Sequence, residues 1–101
     1  MSDPTADEKR EFANLCAMVE RLRVATKIPQ GVYARLCGVS RVTYINWVNN
    51  KAYPKGRRLE AMRTASRAVN AARLAGELPV NEPIPYVRAR KIMDIVANYS
   101  R

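Results

Sequence analysis

Apolar side chains return at intervals of three and four through the first part of the chain, at Phe12, Leu15, Val19 and Leu22, which lays one apolar stripe along an α-helix. Thr5-Ala6-Asp7-Glu8 stands just before this run and has the form of a capping box, in which a hydroxyl and a carboxylate satisfy two orphan amides. A first helix is therefore predicted from there to about Ala25, with Pro29 barring its continuation. Gly38 and Pro54 punctuate the next stretch, so Gln30 to Cys37 and Arg41 to Asn49 read as two short helices separated by Gly38-Val39-Ser40. Leu59, Met62, Ala65, Val69 and Ala72 form the stripe of a longer fourth helix, ending at Gly76, where a left-handed cap forms easily. Residues 79–85 carry Pro79, Pro83 and Pro85 and read as an extended connector. A fifth helix, Tyr86 to about Tyr99, places Ala89, Ile92, Met93, Val96 and Tyr99 on one face.

This pattern predicts an all-α fold, a compact bundle of about five helices, with no repeat and no alternation long enough for a sheet. A chain of 101 residues has room for one core. Residues 1–78 form the expected main domain, and residues 86–101 a carboxy-terminal helix beyond the connector. That helix has two readings: a dimerisation element, or a helix packed back on the chain's own core.

Charge sharpens the picture. With 18 basic and 9 acidic residues the formal charge is +9 and the pI about 10.2, the footprint of a partner for polyanions. The distribution is uneven: residues 1–26 hold four Lys/Arg and five Asp/Glu, residues 27–63 eight and one, and residues 64–101 six and three. Positive charge thus gathers in the middle third. No apolar run approaches the ~20 residues of a membrane span, and Met1-Ser2-Asp3-Pro4 lacks a secretion signal's basic and apolar regions, so a cytoplasmic setting is expected.

Cys16 and Cys37 stand without any histidine in the chain, so no zinc site or Cys-His nucleophile can be assembled, and neither metal nor cofactor is expected. Both read as small buried apolar side chains; a disulfide between them is the alternative. With no carboxylate pair at working spacing and no phosphate-binding glycine loop, catalysis is not expected either.

Between Gln30 and Asn50 the demands of a helix-turn-helix are met at successive positions. Ala34 is small where two helices must cross closely, Gly38 tolerates positive φ in the turn, and Val39 fills the space beneath it. Ser40 is a good N-cap, and Trp47 falls where the second helix must anchor on the core. A plain helical hairpin would explain these as packing, but not the local charge.

The segment from Gln30 to Pro54 resembles the phage-repressor (Cro-like, XRE) helix-turn-helix family, whose members commonly show Gln, Ala, Gly-Val-Ser and Trp at these intervals, then an Asn/Gly-Lys turn and a Pro. The resemblance implies a lambda-repressor-like fold and a partner in double-stranded DNA. It places Arg41, Val42 and Asn46 against base edges in the major groove: Arg41 on guanine, Asn46 on adenine, Val42 on a thymine methyl. It places Gln30, Thr43, Asn49, Lys51, Lys55, Arg57 and Arg58 against phosphates. Tyr53 has two readings, packing beneath the loop or offering its hydroxyl to a phosphate. Two positions depart from the pattern: Tyr44 stands where the family buries Val or Ile, and Ile45 where it exposes a polar side chain, which leaves the rotation of the second helix open. The function implied is a sequence-specific transcriptional regulator, a repressor of phage, plasmid or bacterial type, acting as a homodimer through the carboxy-terminal helix. The alternatives are an excisionase-like or architectural DNA-binding protein, and a protein-interaction module such as an antitoxin or a viral inhibitor of a host protein.

Overall fold

The structure, a computed structural model, describes residues 4–100; the polar amino terminus at residues 1–3, and Arg101, lie outside the described residues. The described chain is all-helical: α1 (Ala6–Ala25), α2 (Gln30–Leu36), α3 (Arg41–Val48), α4 (Arg57–Leu74) and α5 (Pro85–Tyr99). The capping box is in place, with the Glu8 amide donating to Thr5 Oγ1 at 3.1 Å and the Thr5 amide donating to Glu8 Oε1 at 3.2 Å.

The first four helices end in the same way. At each carboxy terminus a residue with positive φ turns the chain: Lys27 at 56°, Gly38 at 73°, Asn50 at 60° and Gly76 at 79°. The following amide then reaches back to the helix, Ile28 to Arg23, Val39 to Ala34, Lys51 to Asn46 and Glu77 to Ala72, at 2.8 to 3.2 Å. These are Schellman closures, which satisfy carbonyls that have no partner within the helix. α1 stops at Ala25 by this device, ahead of Pro29, which serves instead as the N-cap position of α2.

One core unites all five helices, built on Cys16 and Val19 of α1, Tyr33 and Ala34 of α2, Tyr44 and Trp47 of α3, five residues of α4, and Ile92 and Val96 of α5. Cys16 and Cys37 are buried free thiols, and burial pushes Cys37 up to about 12. The buried stripe of α1 is rotated from the expected one: Cys16 and Val19 are covered, while Phe12, Leu15 and Leu22 are half-buried. The cause is that α1 packs on both α3 and α4, so its covered surface is wider than one stripe.

The carboxy-terminal helix packs back on the chain's own core, one of its two readings. Ile92 and Val96 are 1% and 2% exposed, sealed against α4 and α2. Ile92 and Val96 thus belong to the chain's own core, while Ala89, Met93 and Tyr99 on the same face stay half-buried. Pro85 opens α5 at its first turn, where a missing amide costs nothing. No helix among the described residues is long and apolar enough to cross a membrane.

Candidate nucleic-acid interface

α2 and α3 are joined by residues 37–40, and local chemistry fixes each part of the connection. Ala34 is fully buried where the helices meet, Gly38 takes the left-handed conformation, and Val39 is half-buried against the core. Ser40 caps α3: its Oγ accepts from the Thr43 amide at 3.2 Å and donates to Thr43 Oγ1 at 3.0 Å. Thr43 keeps its own hydroxyl proton free to donate.

The rotation of α3 follows from two aromatic anchors. Tyr44 and Trp47, one turn apart, are 0% and 2% exposed, and the Tyr44 ring packs on Tyr33 with centroids 5.5 Å apart. Val42, Ile45, Asn46 and Asn49, spaced three and four apart, therefore form the opposite face. Val42 is 68% exposed and Asn49 is exposed, with Ile45 and Asn46 half-buried between them. The Asn46 carbonyl accepts from the amides of Lys51 and Ala52, at 2.8 and 3.3 Å, which folds the chain after α3 back beside Asn46.

Tyr44 is held by a polar cluster that sequence reasoning missed. Its hydroxyl donates to Glu20 Oε1 at 3.1 Å, and Arg23 donates to the same carboxylate through Nε and, at 3.1 Å, through Nη2. Arg23 Nη1 donates in turn to the Ile28 carbonyl at 2.9 Å, tying α1 to the start of α2. Burial alone would raise the Glu20 carboxyl. Hydrogen bonds and charge from Arg23, with the hydrogen bond from Tyr44, outweigh it and hold the group below the ordinary carboxylate value. Burial, then Glu20, pushes the Tyr44 phenol up, so it remains a neutral donor. The only signal in the sequence was a Glu and an Arg three apart, Glu20 and Arg23, with Arg21 between them in α1.

Gln30 opens α2 and is half-buried. Arg41 is exposed at the first position of α3, and a Cβ added at Gly31 would stand 3.9 Å from its Cδ, so Arg41 lies along the start of α2. Tyr53 is half-buried with its ring 5.5 Å from that of Phe12, which gives the loop after α3 a packed anchor.

The expected phosphate cations Lys51, Lys55, Arg57 and Arg58 are all exposed. Lys55 lines a cleft with Pro4, Lys9 and Tyr53 at the start of α1, whereas Arg57 lines another with Arg35 of α2 and the end of α5. Lys9 and Arg35 thus join the cationic surface. Among the described residues Arg35, Arg41, Lys51, Lys55, Arg57 and Arg58 have no carboxylate within 4.0 Å. No acidic residue occurs at all between Lys27 and Leu59. Compared with family models, curated proteins and solved structures, the chain matches none of them.

Proposed function

We propose that this chain is a sequence-specific DNA-binding regulator that sets α3 into the major groove, α2 and α3 serving as a helix-turn-helix. The observation that carries the reading is the outward face of α3, Val42, Ile45, Asn46 and Asn49, standing in a stretch of the chain with unpaired cations and no carboxylate. A major groove admits one α-helix, and its base edges offer the acceptors and methyl groups that Arg41, Asn46 and Val42 can meet. Lys51, Lys55, Arg57 and Arg58, with Thr43 and Asn49, supply the phosphate contacts that position the helix but carry no sequence information. Repression by occupying an operator, in the cytoplasm of a bacterial or phage-infected cell, is the regulatory mode the resemblance supports. The α4 helix that follows Pro54, where an architectural protein of the excisionase kind would want a basic hairpin, favours this over bending DNA.

A homodimer on a two-fold site extends the reading, since one half-site gives few base contacts. With Ile92 and Val96 already buried, a contact through α5 falls to its exposed amino end, where Ile84 and Tyr86 are 45% and 77% exposed.

The test separates reading from holding. On a site selected from genomic fragments, Asn46→Ala loses about 1 to 3 kcal/mol while binding to random duplex is nearly unchanged, because a bidentate base contact exists only at the right base. Lys55→Ala or Arg58→Ala weakens both DNAs alike. An Asn46→Ala protein that discriminates as well as the parent contradicts this placement of α3.

A further inference from the structure

We propose that the groove between α1 and α4 is a docking site for an acidic amphipathic helix of a partner protein. The groove encloses about 680 Å³, and none of the residues lining it comes from α2, α3 or the loop after α3. It is thus a surface apart from the one assigned to DNA. Its floor is apolar: Leu15 and Leu22 are half-buried, Met18 is 55% exposed, and Val19 and Ala25 complete the row. Its walls are cationic, with Arg21 on α1 and Arg63, Arg67 and Arg73 on α4.

Two of these arginines are braced by their own helix. Arg73 donates to Asn70 Oδ1 through Nε and Nη2, at 3.3 and 2.8 Å, and Arg67 Nη2 donates to Thr64 Oγ1 at 3.4 Å. Arg67 also lies 3.7 Å from Glu60, a pair exposed on both sides, which is therefore weak and which an incoming carboxylate can replace. Arg21 and Arg63 have no acidic partner among the described residues.

Charge and shape together select the occupant. Leu15 to Ala25 and Arg63 to Arg73 each span eleven residues, or ~15 Å of helix from first to last, so the groove accepts about three turns of a partner laid along it. A helix that carries leucine-like residues at i, i+3, i+4 and i+7 would cover the floor, and Asp or Glu beside them would meet the arginines. A second copy of this chain is the wrong occupant, since a two-fold contact would set the same four arginines against each other in a chain of formal charge +9. A nucleic acid would satisfy the walls but leave Met18, Leu15 and Leu22 against a phosphate backbone that offers them nothing.

Fluorescence anisotropy with a labelled amphipathic peptide of about 18 residues, leucine on one face and glutamate on the flanks, tests the proposal against a scrambled peptide of the same composition. Saturable binding is expected, weakened roughly tenfold or more by scrambling, by Met18→Asp and by the pair Arg67→Glu and Arg73→Glu. All three replaced side chains are exposed, and circular dichroism with thermal melting verifies that the variants stay folded. Affinity for random duplex DNA, measured on the same variants, should be preserved. The proposal is overturned by a peptide that fails to bind, by equal binding of the scrambled peptide, by indifference to Met18→Asp, or by loss of DNA affinity matching the loss of peptide affinity in the double arginine variant.

Discussion

Glu20 is the residue on which the seating of α3 depends. It is 23% exposed and takes donors from Arg23 and Tyr44 at once, so a single carboxylate joins α1 to α3 and, through Arg23, to the loop before α2. Because its folded-state pKa lies below that of the unfolded chain, the folded form binds fewer protons in the acid range, and the stability it contributes is present above the ordinary value of 4.5 and is lost as the pH falls below it. Glu20→Gln should therefore flatten the loss of stability between about pH 5 and pH 3, read from urea midpoints at each pH. At neutral pH the same change should cost about 1 to 3 kcal/mol, since it leaves the Arg23 guanidinium without its charge partner. A variant whose acid slope equals the parent's would show that Glu20 does not titrate with folding. Tyr44→Phe, which keeps the ring against Tyr33 and deletes only the hydroxyl, should give a smaller loss of about 1 kcal/mol.

At the scale of the helices, termination is governed by the residue in the left-handed position. Glycine serves at Gly38 and Gly76, but α1 uses Lys27 at φ 56°, a conformation that costs a side-chain-bearing residue about 1 to 2 kcal/mol. Lys27→Gly should stabilise by roughly 0.5 to 1 kcal/mol, the relief of strain being reduced by the greater freedom of glycine in the unfolded chain. Gly38→Ala should destabilise by about 1 to 2 kcal/mol. Nothing lies within 4 Å of the added Cβ, so the cost is one of backbone conformation alone. Denaturation midpoints that move in these opposite senses, with unchanged m-values, check both.

These local devices were legible in the sequence because each is written within four or five residues: the Thr5–Glu8 box, Ser40 as a cap, Gly38 and Gly76 as stops. All five helices could be read, three from periodicity and α2 and α3 from the Gly38 and Pro54 that punctuate them, and with them the all-α class. What could not be read depends on partners distant in the chain. Tyr44 and Glu20 are 24 residues apart, so nothing local announced that a tyrosine could replace a buried aliphatic by carrying its hydroxyl to a carboxylate. The fate of α5 also lay beyond periodicity, which identifies an apolar face but not what covers it.

For the whole molecule, the burial of Ile92 and Val96 means that residues 86–101 cannot be removed as an appendage. Deletion should expose the side of α4 that holds Ala61 and Ala65 and lower stability by several kcal/mol, giving a broad or absent thermal transition instead of a folded monomer. A cooperative melt in the truncated protein would place α5 outside the core.

The excess of cations gives the most direct test of DNA binding. Fluorescence anisotropy with random duplex DNA, titrated between roughly 50 and 200 mM salt, reads the number of phosphates neutralised, because log K falls with log salt at a slope near −0.9 for each. The expected result is measurable affinity at low salt and a slope corresponding to several phosphate contacts, shallower by about one for each of Lys55→Ala and Arg58→Ala. A protein that fails to bind duplex at the low-salt end, or whose affinity is indifferent to salt, would contradict the assignment of this chain to DNA.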